Sequence, residues 1–141
     1  MGALVDSSAF VAVEKAEHGR DWLRLALAND DGLFVNPVVL AELQLGVALA
    51  TTVPVALARQ RTLEWALRAG LLEIGRETAR HFSDINAVLW QTKKTRLRDN
   101  DIWIAATARE HNLPLITVNH RDFSDIDGLQ LIGLHVPQPR N

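Results

Sequence analysis

Short aliphatic and β-branched runs alternate along this chain with longer stretches of helical periodicity. Ala3 to Val5, Leu33 to Val35, Leu71 to Ile74, the run opening at Leu115 and Leu129 to Leu134 are the strand candidates. Ala3 to Val5 is short and wholly apolar, as suits a central strand covered on both faces. Between them, the pattern predicts helices from about Ala9 to Ala28 with a break near Gly19, Pro37 to about Ala50, Val55 to Ala69, Arg76 to about Thr92 and Asp101 to about His111. Strands alternating with helices imply an α/β fold around a mostly parallel, five-stranded sheet.

Boundary residues sharpen this reading. Ser7 or Ser8 can cap the first helix, and Asn36 followed by Pro37 is the pairing expected where a helix starts. Asn29-Asp30-Asp31-Gly32 reads as a turn, Thr51 to Pro54 as a linker, and Glu73 interrupts the third strand. Asp99 or Asn100 can cap the Asp101 helix, which Asn112-Leu113-Pro114 ends. The Pro37 helix is apolar nearly all round and is therefore expected to be buried. Glu42 is its only charge, and Gly46, one turn on, offers a bare face for another backbone. One domain over residues 1–136 with a tail at 137–141 accommodates all of this.

Composition narrows the chemistry. With 141 residues and 48% hydrophobic content the chain can bury one sizeable core. Fifteen basic against seventeen acidic residues give a net charge of -2, so binding to nucleic acid needs a local basic patch or a metal. Zero cysteines exclude disulfides and thiolate chemistry and fit a reducing compartment, with the cytoplasm as the expectation. No basic leader precedes the first strand, and no run approaches the roughly 18 apolar residues of a membrane span. Met1-Gly2 opens like an acylation signal, but Asp6 stands where that signal needs Ser or Thr.

Four carboxylates then stand out by joint position. Asp6 closes the first strand, Asp122 follows the fourth, and Glu42 and Asp101 lie in early turns of flanking helices, so all four can meet at one sheet edge. Singly, Asp6 also reads as a cap, Asp101 as a partner of its helix dipole and Asp122 as a turn residue. Glu42 is harder to explain away, because a lone carboxylate in an apolar helix is seldom buried unless paired or bound to a metal. Two like charges about 4 Å apart cost about 4 kcal/mol at an effective dielectric of about 20, against a domain stability of roughly 5 to 15 kcal/mol. A divalent cation or a bound proton must relieve that repulsion. An all-oxygen set suits Mg²⁺ or Mn²⁺, and zinc finds neither Cys nor a closely spaced His pair. Such an ion retains waters that can attack a phosphodiester.

The dense basic run Lys93-Lys94-Thr95-Arg96-Leu97-Arg98 lies immediately before Asp101. Charge runs are usually solvated loops, but here Lys93, Lys94, Arg96 and Arg98 can steer a phosphate backbone toward an acidic pocket. The five histidines are scattered, with His120 expected to face solvent, and Trp22, Trp65, Trp90 and Trp103 are expected in core or interface packing. Ser7 and Ser8 lack a Gly-x-Ser-x-Gly elbow and read as hydroxyl neighbours of the acids.

Val5-Asp6-Ser7-Ser8, Glu42-Leu43-Gln44-Leu45-Gly46, Asp101-Ile102-Trp103-Ile104-Ala105-Ala106-Thr107-Ala108 and Thr117-Val118-Asn119-His120-Arg121-Asp122-Phe123 resemble the four motifs of PIN-domain ribonucleases, in detail the VapC toxins of toxin-antitoxin pairs. The likeness runs in order from Ala3 to about Val136. It implies a three-layer α/β/α fold and an Mg²⁺- or Mn²⁺-dependent endoribonuclease acting on RNA. It implies Asp6, Glu42, Asp101 and Asp122 as the acidic cluster, with Ser8, Thr117 and Asn119 supporting it. It also implies a homodimer and a small VapB-like antitoxin that covers the site.

Other classes fit less well. A phospho-receiver domain needs an acceptor Asp after its third strand and a later strand-end Lys, and Leu72-Glu73-Ile74-Gly75 and Leu129 to Leu134 supply neither. A haloacid-dehalogenase-type phosphatase needs a second Asp two residues after the first, where Ser8 stands. A catalytically inactive PIN-like binding module remains the third alternative, and against it all four acids are present.

Overall fold

The computed structural model describes residues 2–26, 32–94, 97–134 and 136–137. Its elements are β1 (Ala3–Val5), α1 (Ser7–Lys15), α2 (Gly19–Ala26), β2 (Leu33–Val35), α3 (Pro37–Ala48), α4 (Val53–Leu67), β3 (Gly70–Leu71), α5 (Arg76–Gln91), α6 (Asp99–Glu110), β4 (Leu115–Thr117), α7 (His120–Phe123) and β5 (Leu131–Gly133). The strands form one all-parallel sheet in the order β3-β2-β1-β4-β5. From β1 the chain steps outward to β2 and β3, then returns past β1 to β4 and β5. With right-handed crossovers, helices leading outward and the pair leading back cover opposite faces, which gives an α/β/α sandwich. The reversal falls between β1 and β4, so the crevice beyond their carboxyl ends is the switch point where such sheets bind ligands.

Ala3, Leu4, Val5, Leu115 and Ile116 are buried completely or nearly so, as the central pair of a covered parallel sheet requires. Phe10, Val39, Ile102, Ile104 and Phe123 close on them from the helices. Asn36 caps α3 as its sequence promised: its side chain accepts from the Val39 N–H at 2.9 Å, with Pro37 at the first helical position. Its Nδ2 donates to Thr107 Oγ1 at 3.0 Å, which pins α3 to α6 although the residue is fully buried.

Several boundaries differ from those predicted, for local reasons. Helix α1 starts at Ser7, so Asp6 and neither serine takes the N-cap position, while the break at 16–18 falls next to Gly19 as expected. Thr52 caps α4 through Val55 N–H, drawing Val53 and Pro54 out of the expected linker and into the helix. Strand β3 is Gly70–Leu71, so of the expected Leu71 to Ile74 run only Leu71 is strand, and Gly70 joins by pairing with Phe34, whose ring stands 2.6 Å from where a Cβ would be. Helix α6 starts at Asp99, with Arg98 rather than Asp99 or Asn100 at the N-cap. Asp122 lies within the single-turn helix α7 instead of an open turn.

The largest departure is α3. Only Val39 and Leu43 are buried, whereas Leu45 and Leu49 are 57% and 65% exposed. A helix apolar on every side carries no sequence mark of which face is left uncovered. Gly46 is likewise used otherwise than expected. No backbone packs on its face; Arg59 Nη1 donates to the Gly46 carbonyl, 2.6 Å away. The 29–31 part of the turn and Arg96 lie outside the described residues, as does the 138–141 part of the tail.

Candidate active site

The crevice between β1 and β4 opens into a pocket of about 390 Å³ lined by Asp6, Ser7, Ser8, Glu42, Arg98, Asp101 and Asn119, with Val11, Ala12, Lys15, Val118 and Pro137 at its rim. Asp6 sits on its floor, only 2% exposed. Although it occupies the N-cap position of α1, its side chain makes no capping hydrogen bond. Instead Oδ2 accepts from Ser8 Oγ at 2.6 Å and from Thr117 Oγ1 at 2.9 Å. Each hydroxyl has one proton, and both are used on Asp6, so the 3.2 Å approach of Ser8 to Thr117 is an oxygen–oxygen contact without a proton of its own. Thr117 accepts in turn from the Asn119 N–H at 3.0 Å, which fixes the turn leaving β4.

The Ser7 hydroxyl has a similar choice. It lies 3.0 Å from Glu42 Oε1 and 3.5 Å from Asp6 Oδ1, and the shorter contact takes the proton. Asp6 Oδ1 is thereby left without a strong donor at the edge of the pocket. Ser7 is thus a hydroxyl neighbour of the acids, as expected, whereas Lys15 at the rim carried no sequence signal of its place there.

Glu42 and Asp101 both bind protons more tightly than ordinary carboxylates. For each the main cause is burial, and the Asp6 charge raises both further. Glu42 is drawn down by the Ser7 hydrogen bond and Arg98, and up by Asp101. Asp101 is drawn down first by the Arg98 N–H, which donates to its Oδ2 at 3.3 Å, then by the Arg98 charge. Arg98 Nε stands 3.9 Å from the same oxygen. The acid therefore closes its own helix start and also faces the pocket.

Asp122 is brought near but not in. Its charge raises Asp101, yet its exposed side chain lines an adjoining hollow with Lys93, Lys94, Leu97 and Arg121. Lys94 is paired there with Asp125 at 3.1 Å. Of the basic run only Arg98 reaches the acid pocket among the described residues. No three His, Asp or Glu side chains among these residues form a ready-made metal cage. The donors are nonetheless all oxygen, one buried carboxylate oxygen is under-used, and two more acids are pushed toward their neutral forms by burial and by the Asp6 charge, which fits a hard cation completing its shell with water.

The chain matches the PIN domain family model over residues 3–129. It belongs to the PIN-domain family, in its branch of VapC ribonuclease toxins of VapBC toxin-antitoxin systems. Ribonuclease VapC5 of Mycobacterium tuberculosis is 36% identical over 125 residues, covering 89% of this chain and 87% of that protein. The crystal structure of VapBC-5 from Mycobacterium tuberculosis contains a chain 30% identical, covering 95% and 98% of the two chains with a TM-score of 0.75. That of VapBC2 from Rickettsia felis, bound to a promoter DNA fragment, contains one that shares the fold, with a TM-score of 0.81 at 24% identity over 96% and 100%. The expected family, fold class and enzyme class all hold.

Proposed function

We propose that the pocket between β1 and β4 is the catalytic centre of an Mg²⁺- or Mn²⁺-dependent endoribonuclease. The observation that carries this reading is Asp6: a carboxylate at a capping position that forgoes capping, is held by two hydroxyls, and turns an under-used oxygen toward two acids that resist ionisation. Asp6, Glu42 and Asp101 would hold the cation, with Asp122 adding charge from the rim. When bound, the ion supplies charge neutralisation for the phosphodiester and Lewis-acid activation of water. Ser8, Thr117 and Asn119 keep Asp6 in place, and Arg98 attracts the scissile phosphate. RNA cleavage with mapped ends tests this, since attack by water leaves 5′-phosphate and 3′-hydroxyl termini. Cleavage that persists in excess EDTA, or 2′,3′-cyclic phosphate ends, would overturn it.

We further propose that a small VapB-like antitoxin covers the site and that the active protein is a cytoplasmic homodimer. Leu43 and Leu45 of α3 and its C-cap Leu49 line a hollow of about 500 Å³ with Val11, Lys15, Glu42 and Arg59. Its apolar wall runs directly up to Glu42, so an amphipathic peptide seated there can bring a basic side chain to the acids. No helix among the described residues is long and apolar enough to cross a membrane.

A further inference from the structure

Arg98 divides two tasks between its backbone and its side chain. It occupies the N-cap position of α6, yet what closes the helix there is the Arg98 N–H, which donates to Asp101 Oδ2 at 3.3 Å. The side chain has no part in that bond. Its Nε stands 3.9 Å from the same oxygen, within reach of the charge but beyond hydrogen-bond length, and the side chain is 78% exposed. An exposed pair of this kind is weak, and nothing fixes the guanidinium in one place.

Its position is nonetheless particular. Arg98 lines both the acid pocket and the leucine-walled hollow beside it, a place shared with Val11, Lys15 and Glu42 alone. Its charge draws the carboxyls of Glu42 and Asp101 down, whereas Lys15, the other cation at the rim, shifts neither. Among the described residues, Arg98 is the one cation within ion-pair distance of any of the four acids. A divalent cation held by Asp6, Glu42 and Asp101 would sit in the same field, and two cations a few ångströms apart repel as an ion pair attracts. Each then weakens the hold on the other, by the same factor in both directions.

We propose that Arg98 is a positioning residue that couples cation binding to RNA binding. Its guanidinium leans on the acids as their counter-charge in the metal-free chain, gives way when a divalent cation binds there, and is thereby released to a phosphate of the substrate. This rests on the metal-dependent ribonuclease reading and adds to it a competition within the site. A guanidinium suits the exchange, because it is always charged, is more weakly hydrated than an ammonium and meets phosphate with two parallel donors. The two effects of Arg98 have opposite signs: it weakens binding of the bare ion and strengthens binding of RNA.

The test compares Arg98→Gln, Arg98→Lys and wild type, with Arg24→Gln, an equal loss of charge on exposed α2, as the control. Gln keeps the backbone N–H that closes α6, and a cooperative melt in EDTA checks that each variant is folded. Calorimetric titration with Mn²⁺, without RNA, should give Arg98→Gln a Kd about three- to tenfold below that of wild type, with Arg98→Lys near wild type. Cleavage of a fluorescein-labelled single-stranded oligoribonucleotide at saturating Mn²⁺ should move the other way. KM should rise about tenfold in Arg98→Gln and less in Arg98→Lys, which keeps the charge but loses the paired donors. Arg24→Gln should match wild type in both. A side chain serving local structure alone would leave both constants in place or worsen both. If wild type cleaves RNA and Arg98→Gln binds Mn²⁺ no more tightly, or its KM does not move, the coupling is wrong and the ribonuclease reading stands. If Arg98→Gln binds Mn²⁺ more tightly but no protein cleaves RNA, the ribonuclease reading fails and the competition for the acids stands.

Discussion

The Ser7 hydroxyl at the start of α1 donates to Oε1 of Glu42 on α3 across 3.0 Å, and this bond joins two motifs 35 residues apart in one pocket. It is also the strongest influence holding the Glu42 carboxyl down against burial. Ser7→Ala should therefore raise the Glu42 pKa further. If Glu42 must be ionised for turnover, the acid limb of the kcat/KM profile moves to higher pH, with a stability loss of about 0.5 to 1.5 kcal/mol. A limb that stays in place would assign it to another group.

The Asp6 cradle makes a stability claim. Thr117 is fully buried, and its only proton goes to Asp6 Oδ2. Thr117→Val keeps the shape and removes that donor, and it also strips the Asn119 N–H of its acceptor. The cost should be about 1.5 to 3 kcal/mol, the range for a hydrogen bond to a charged and buried partner. Urea unfolding in EDTA reads it as a lower midpoint at unchanged slope. A loss below about 0.5 kcal/mol would mean that Thr117 is no more than a strand residue.

How much of this was legible beforehand depends on whether a residue's role is local. The Asn36-Pro37 cap, strands β1 and β2 and the span of α5 follow from neighbours in sequence, and all stand where the pattern put them. The four acids were legible as candidates because strand ends and helix starts lie at one sheet edge, and the structure brings Asp6, Glu42 and Asp101 to one pocket with Asp122 just outside it. What sequence could not give was mutual orientation. Asp6 at a cap position turns away from capping, Asp122 faces the hollow beside the pocket, and Ser7 enters through a hydroxyl proton that had two acceptors to choose from. The exposed side of α3 was equally hidden, since periodicity cannot mark a face when every face is apolar.

That exposed side yields a test of the partner. Leu49 is 65% exposed, so Leu49→Asp should change the stability of the isolated protein by no more than about 0.5 kcal/mol. The same change puts a charge on the wall of the hollow beside Glu42 and should abolish co-purification of a co-expressed antitoxin, leaving growth arrest unrelieved. If a co-expressed antitoxin still co-purifies with Leu49→Asp, the docking surface lies elsewhere.

The raised pKa values of Glu42 and Asp101 fix the sign of a pH effect. Both carboxyls hold their protons more tightly in the folded chain than in the unfolded one. Their contribution to metal-free stability is therefore greatest below the ordinary carboxylate range and is lost as pH rises through the raised values. In EDTA, the Tm of Glu42→Gln minus that of wild type should grow as pH increases from about 4 to about 7. A difference that shrinks over this interval would contradict the burial of Glu42.

Asp101 separates the metal reading from a structural one most cleanly. Its side chain is 21% exposed, closes the start of α6 on the Arg98 N–H, and is repelled by Asp6 and Asp122. Asp101→Asn keeps an oxygen for the Arg98 N–H and removes the repelled charge. The metal-free protein should gain about 0.5 to 2 kcal/mol, the Coulomb figure being reduced by screening and by the lost attraction to Arg98. With metal the sign reverses. A bound ion stabilises the native state in proportion to the logarithm of its concentration over its dissociation constant, so a lost ligand shrinks the rise in Tm on adding Mn²⁺. An Asp101 that served only the helix dipole would give the opposite pair, a loss of a few tenths to about 1 kcal/mol in EDTA and an intact metal response. Thermal melts of both proteins in EDTA and across a Mn²⁺ titration decide it, and a variant that is less stable in EDTA yet keeps the full metal shift would remove Asp101 from the site.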